Sequence, residues 1–185
     1  MTQELINIIN QEVCTNADYL SLSFFGEIEI SEIQKLLQLK NLKHLNLSSC
    51  DLIDEHLETI GKIESLELLD LDATEITDQG LFFLQHLKNL KQLRLKDNPQ
   101  LTDTCVGYLS NIHSLELVHF GNTSVSTGGV RKLLSKVELH CILLENSDLR
   151  DVIDELLIIT GEHPKLEITL KGVGIFSNGK TERIN

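Results

Sequence analysis

The chain has 185 residues, a net charge of -12 and a hydrophobic fraction of 41%, with aromatic residues at only 4%. That length fits one domain, and the acidic balance with no basic run argues against nucleic acid and membrane-surface partners and favours a basic partner or simple solubility. The start, MTQELINIINQEV, has no apolar run long enough for a signal peptide, no segment approaches the ~20 apolar residues of a membrane span, and the chain reads as cytoplasmic.

Residues 2–13 place Leu5, Ile8, Ile9 and Val13 on one helical face, with Thr2 as cap. The expectation is an N-terminal capping helix over residues 1–16 that covers the core of the adjoining unit. That unit is degenerate: it puts Ala17, Leu20, Leu22 and Phe25 in strand positions, with Ser31 opening a helix that carries Ile33, Leu36 and Leu37.

From Leu42 the same pattern returns every 24 residues. Leu42, Leu45, Leu47 and Cys50 correspond to Leu66, Leu69, Leu71 and Thr74, and again to Leu90, Leu93, Leu95 and Asn98. A fixed period of this size marks a solenoid. The alternation at Leu45 and Leu47 predicts a short half-buried strand whose inward leucines stack into a continuous column. The position held by Cys50, Thr74, Asn98, Thr123 and Ser147 is small and polar, as suits an inward site where buried backbone groups need partners. Ile76-Thr77-Asp78 and Leu101-Thr102-Asp103 then read as helix starts, with Asp or Thr as N-cap, followed by apolar residues at helical spacing such as Leu81, Leu84 and Leu87.

A further unit begins at Leu115, one residue late, with the extra residue near Pro99-Gln100. Gly128 and Gly129 predict a looser or shorter helix there. The next unit uses Leu139, Ile142, Leu144 and Ser147, with a helix from about Asp151 to Ile159 ended by Gly161 and Pro164. Leu166, Ile168 and Leu170 suggest a closing strand, and Asn178-Gly179 allows a short terminal hairpin. The expected organisation is six repeats over residues 17–164, starting near 17, 42, 66, 90, 115 and 139, then a closing strand and tail over 165–185.

LxxLxLxxC, followed by ITDxGL-like helix starts, resembles the leucine-rich repeats, and the cysteine-containing subtype in particular, with Thr, Asn or Ser in place of Cys in most units. Similar repeats occur in F-box-associated adaptors and many bacterial proteins. The resemblance implies an α/β solenoid in a short horseshoe, a parallel concave sheet, convex helices and protein–protein recognition through the concave face.

Alternation assigns the outward strand residues to three columns. Tyr19, His44, Leu68, Gln92, Leu117, Cys141 and Glu167 form one. Ser21, Asn46, Asp70, Arg94, His119, Leu143 and Thr169 form the next, and Ser23, Ser48, Asp72, Lys96, Gly121, Glu145 and Lys171 the third. Leu68, Leu117 and Leu143 are unexpected on a solvated face; with Cys141 they suggest an apolar centre rimmed by Asp70, Asp72, Arg94, Lys96 and Glu145, as interfaces tend to be built. The expected partner-binding set is Tyr19, His44, Leu68, Asp70, Asp72, Arg94, Lys96, Leu117, His119, Leu143 and Glu145. Seven strands at ~4.8 Å by roughly 13 Å give a face on the order of 400 Å², against ~800 Å² per partner in a standard interface. A tight partner should therefore also touch loops such as Asp97-Asn98-Pro99 and Asn122, or an open end of the solenoid.

No catalytic chemistry is expected. His44 and His119 are too far apart to share a metal, no nucleophile has a base, and the glycines at 172, 174 and 179 are not a phosphate loop. The four cysteines show no zinc spacing, and free, buried thiols in a reducing compartment are expected, with no cofactor. The leading expectation is a non-enzymatic module for a protein partner; the alternative is an assembly subunit held by its cap or a terminal strand edge.

Overall fold

The computed structural model describes residues 4–145 and 153–183. Ser147 and the residues Asp151 and Val152, expected to open the last helix, lie outside this set.

The frame is one nine-stranded sheet. Its parallel strands are β3 (Tyr19–Ser21), β5 (His44–Asn46), β7 (Leu68–Asp70), β8 (Gln92–Arg94), β9 (Leu117–His119), β10 (Cys141–Leu144) and β11 (Glu167–Leu170). β12 (Gly174–Ser177) and β13 (Lys180–Glu182) then fold back antiparallel at one edge. The turn between them is Asn178-Gly179, both at positive φ, which matches the right-handed strand twist of a two-residue hairpin. The strand leucines Leu45, Leu69 and Leu93, with Val118 and Ile142, are fully buried against the helical layer, so one sheet face is core and the other is open.

Residues 4–15 correct the expected capping helix. They form an antiparallel hairpin, β1 (Leu5–Ile8) with β2 (Gln11–Cys14), turning through Ile9 and Asn10 at φ 48° and 60°. Ile8 and Val13 are buried beneath it, whereas Leu5, expected on the same helical face, is mostly exposed. The β-branched Ile6 and Ile8 alternate at period two around Asn7, and Asn10 tolerates the left-handed turn; these local preferences outweigh a four-residue helical match. The Ile9 amide donates to Glu32 Oε2 at 2.8 Å, tying the hairpin to the first helix.

The helical layer varies more than the sheet. It contains α1 (Ile30–Lys35), α2 (Asp54–Ile60), a 3-10 segment Gly80–Leu84, the single turn α3 (Val106–Leu109), α4 (Thr127–Leu134) and α5 (Ile153–Glu162). α4 is longer than the helices before it, against the expectation from Gly128 and Gly129. Ser126 caps it by accepting from the Gly129 amide at 3.2 Å, and a Cβ at Gly129 would stand 2.2 Å from Asp103 Oδ1. Gly161 lies inside α5 rather than ending it.

That aspartate belongs to a ladder that joins successive repeats. Asp54 accepts from the Thr77 amide (2.7 Å) and hydroxyl (2.6 Å), Asp78 from Thr102 (2.8 and 2.6 Å), and Asp103 from Ser126 (2.7 and 2.6 Å). These aspartates therefore clamp the next unit rather than cap their own helix. Gly80 and Gly129 leave the space: a Cβ at Gly80 would meet Asp54 Oδ1 at 2.3 Å.

The small polar position behaves as the sequence indicates. Cys50 Sγ donates to the Leu22 carbonyl, Thr123 to that of Phe120, and Asn98 Nδ2 to those of Leu71 and Leu95 while its Oδ1 accepts from the Thr74 amide. The extra residue near Pro99 lets Gln100 reach back to the carbonyls of Thr74 and Ile76. Phe25, aligned with Cys50 by the repeat pattern, is instead 39% exposed, because the strand register puts Gly26 opposite Cys50.

Candidate partner-binding face

The strand register places the outward columns side by side. Tyr19, His44, Leu68, Gln92, Leu117, Cys141 and Glu167 are successive partners, as are Ser21, Asn46, Asp70, Arg94, His119, Leu143 and Thr169. The candidate residues nevertheless do not form one patch. Tyr19 and His44 are exposed at the β3 edge, away from the charged centre. Leu68 is divided from Leu117 by Gln92, while Leu117, Cys141 and Leu143 are contiguous. All three leucines, expected on the solvent-facing side of the sheet, are half-buried there.

The centre is a polar and charged network spanning five strands, β7 to β11. Arg94 Nη1 stands 3.7 Å from Asp70, which is itself buried. Asp72 accepts from the Lys96 amide at 2.7 Å, and its own amide donates to Asp70 Oδ1 at 3.1 Å. Lys96 Nζ reaches Glu145 and Asp97, each at 3.3 Å, and Lys171 also pairs with Glu145. His119 Nδ1 lies 4.0 Å from Asp72 Oδ2.

Burial and the adjacent Asp70 carboxylate push the Asp72 carboxyl up to about 6. Burial, with Lys96 and Arg94 nearby, pulls His119 below its ordinary value. His119 is thus neutral near pH 7, and its approach to Asp72 is a polar contact rather than an ion pair. The Lys171 and Lys96 ammoniums keep Glu145 below the usual carboxylate range. Gly121 makes room for this arrangement, since a Cβ there would come within 2.8 Å of the His119 ring and 2.9 Å of Glu145.

Beside the network runs a groove of about 480 Å³ lined by Lys96, His119, Leu143, Glu145, Thr169 and Lys171. Thr169 and Lys171 belong to the outward columns but not to the expected partner-binding set. The alternation Leu166, Ile168, Leu170 carries the signal that extends the face to them. Asn98, expected in a contact loop, is fully buried, whereas Asp97 and Asn122 bond to each other at the surface (3.0 Å). Among the described residues no group of three His, Cys, Asp or Glu is disposed to hold a metal ion, and no helix is long and apolar enough to cross a membrane.

No family model matches the chain. It is 31% identical over 137 residues to EEED8.10 of Caenorhabditis elegans, named as a candidate RNA-binding protein, covering 69% of this chain and 18% of that protein. It is 25% identical over 157 residues to leucine-rich repeat-containing protein 42 of Homo sapiens, covering 78% of this chain and 35% of that one. The crystal structure of internalin C2 from Listeria monocytogenes matches with a TM-score of 0.60 at 19% identity, over 87% of this chain and 66% of that one. The chain therefore spans only about a fifth to a third of the length of these curated relatives. Together with the repeat pattern and the strand register, these likenesses define a leucine-rich repeat fold.

Proposed function

We propose that the chain is a non-enzymatic protein-interaction module that takes a partner protein on the concave sheet and its adjoining loops. The observation that carries this reading is the half-buried Asp72–His119 contact beside the Leu143 groove. An ordinary solvated rim would leave a carboxylate in its usual range; here Asp72 is held at about 6 on a face that no described element of the chain covers. Groups held in an unfavourable ionisation state at a surface concavity are typical of binding sites. The Lys96 and Lys171 stems with Leu117 and Leu143 supply apolar area, and the acidic net charge fits a basic partner.

The name carried by EEED8.10 raises RNA as a ligand. The cations of the face, Arg94, Lys96 and Lys171, are each paired with a carboxylate, and among the described residues no basic patch with stacking aromatics accompanies them. That favours a protein. Assembly through the β13 edge is disfavoured because Lys180 and Glu182 charge a three-residue edge strand. Four free thiols fit a reducing compartment.

The test is affinity capture from a native extract, wild type beside Leu68→Glu/Leu143→Glu, with circular dichroism confirming that the variant folds. A protein captured by wild type and lost with the variant supports the concave face. The same set captured by both contradicts it.

A further inference from the structure

We infer that the outer edge of β3 is a second docking site, which takes an extended, basic segment of a partner protein as an added strand. The site is separate from the open sheet face and stands whether or not that face binds.

β3 ends the sheet and pairs on one side only, with β5. The His44 amide donates to the Asp18 carbonyl (2.9 Å) and the Leu22 amide to that of Asn46 (2.8 Å), so the even-numbered residues of this stretch use their backbone groups on β5. Successive residues of a strand turn their backbone groups to opposite sides. The amides and carbonyls of Tyr19 and Ser21 are therefore directed outward, and among the described residues nothing bonds to them. The edge is longer than β3 itself. The Phe24 amide still bonds the Ser48 carbonyl (3.0 Å), and β4 (Gly26–Glu27) continues beside β6 (Cys50–Asp51), also paired on one side only. The N-terminal hairpin does not close this edge. Leu20 and Leu22 are buried in one core with Ile8 and Val13, but β1 and β2 pair only with each other, and the tie from the Ile9 amide runs to Glu32 of α1. The hairpin seals the core and leaves the backbone edge open.

Sheets guard such an edge with charge, proline or a covering element. At the opposite end Lys180 and Glu182 charge β13. The stretch Tyr19-Leu20-Ser21-Leu22-Ser23-Phe24 has neither charge nor proline. Outward N–H and C=O groups at alternate residues, roughly 7 Å apart, match the backbone of an extended strand. Tyr19 is 59% exposed and Phe24 81%, and they offer apolar contact to side chains of that strand, where aromatic residues pair well with β-branched ones. Charge decides between occupants. Residues 1–34 carry Asp or Glu at 4, 12, 18, 27, 29 and 32 and no Lys or Arg, and the exposed Asp18 and Glu27 bracket the edge. A second copy of the chain would bring the same carboxylates against each other, whereas a strand carrying Lys or Arg meets opposite charge.

The probe is a fluorescein-labelled peptide of Lys alternating with Val, titrated by fluorescence anisotropy against the full chain. One control is the same sequence N-methylated at every backbone amide, which keeps side chains and charge but cannot donate to an edge. The other replaces Lys with Glu. Wild type should bind the Lys/Val peptide more tightly than either control by about tenfold, the equivalent of about 1.4 kcal/mol. Ser21→Pro removes an outward amide and leaves the ladder to β5 intact; with its fold confirmed by circular dichroism, it should weaken binding by about the same factor. Leu143→Gln, in the groove of the open face, should leave binding within about twofold. In wild type, which needs no variant to fold, adding the peptide should slow hydrogen exchange at the Tyr19 and Ser21 amides more than at those of Leu20 and Leu22. Failure of wild type to bind, equal affinity for either control, full affinity of Ser21→Pro, unchanged exchange at Tyr19 and Ser21, or loss with Leu143→Gln would each overturn the inference. So would a wild-type dimer in sedimentation equilibrium that Ser21→Pro dissociates, since it would assign the edge to a second copy.

Discussion

Burial and Asp70 raise the folded-state pKa of Asp72 from 3.8 to about 6, so the folded chain holds this proton more tightly than the unfolded chain does. Its contribution is present below pH 3.8 and is lost as pH rises to about 6. Asp72→Asn keeps an oxygen for the Lys96 amide and removes the charge. It should raise stability at pH 7 by about 2 kcal/mol and flatten the pH dependence between about 4 and 6, as read by urea unfolding at several pH values. Phe24 occupies the left-handed position (φ 64°) that Ser49, Ala73, Asp97 and Asn122 hold in later repeats. A bulky exposed ring is unfavourable there, and Phe24→Asn should raise stability by about 1 kcal/mol in thermal melts. At this scale the facing of each strand residue is legible in the sequence, since alternation is a property of the strand alone. Half-burial of Leu68, Leu117 and Leu143 is not, because it is set by packing across strands and not by alternation within one.

Elements whose pattern repeats are readable, as is the C-terminal hairpin through its Asn178-Gly179 turn, whereas the N-terminal element is not. The 24-residue leucine pattern reports a strand packed on identical neighbours, and the strands fall where it puts them. The N-terminal segment has no neighbouring copy to compare with, and its four apolar positions fit helix and hairpin alike until the Ile9-Asn10 turn decides. Gly128-Gly129 misleads because helix propensity counts a glycine's flexibility and not the carboxylate packed against it. The same clamp makes Gly80 replaceable only at a cost. Gly80→Ala should destabilise by about 2 kcal/mol through overpacking against Asp54. In an Asp54→Ala background the further cost should fall below about 1 kcal/mol, and a double-mutant cycle by urea denaturation measures that coupling.

Across the whole molecule, each repeat packs mainly on its neighbours, so perturbations far apart should not communicate. Ile8 lies on β1 of the N-terminal hairpin and Leu93 on β8, with β3, β5 and β7 between them, and both are fully buried. Truncating either to Ala should cost about 3 kcal/mol, and the two costs should add within about 0.5 kcal/mol in equilibrium unfolding. The proposal that the sheet face binds a protein is tested most directly by hydroxyl-radical footprinting of the chain alone and in complex with a captured partner. Protection of Leu117, His119 and Leu143, with Phe82 and Tyr108 of the helical layer unchanged, is the predicted result. Protection of Phe82 and Tyr108 with the sheet residues as reactive as in the free chain would contradict it.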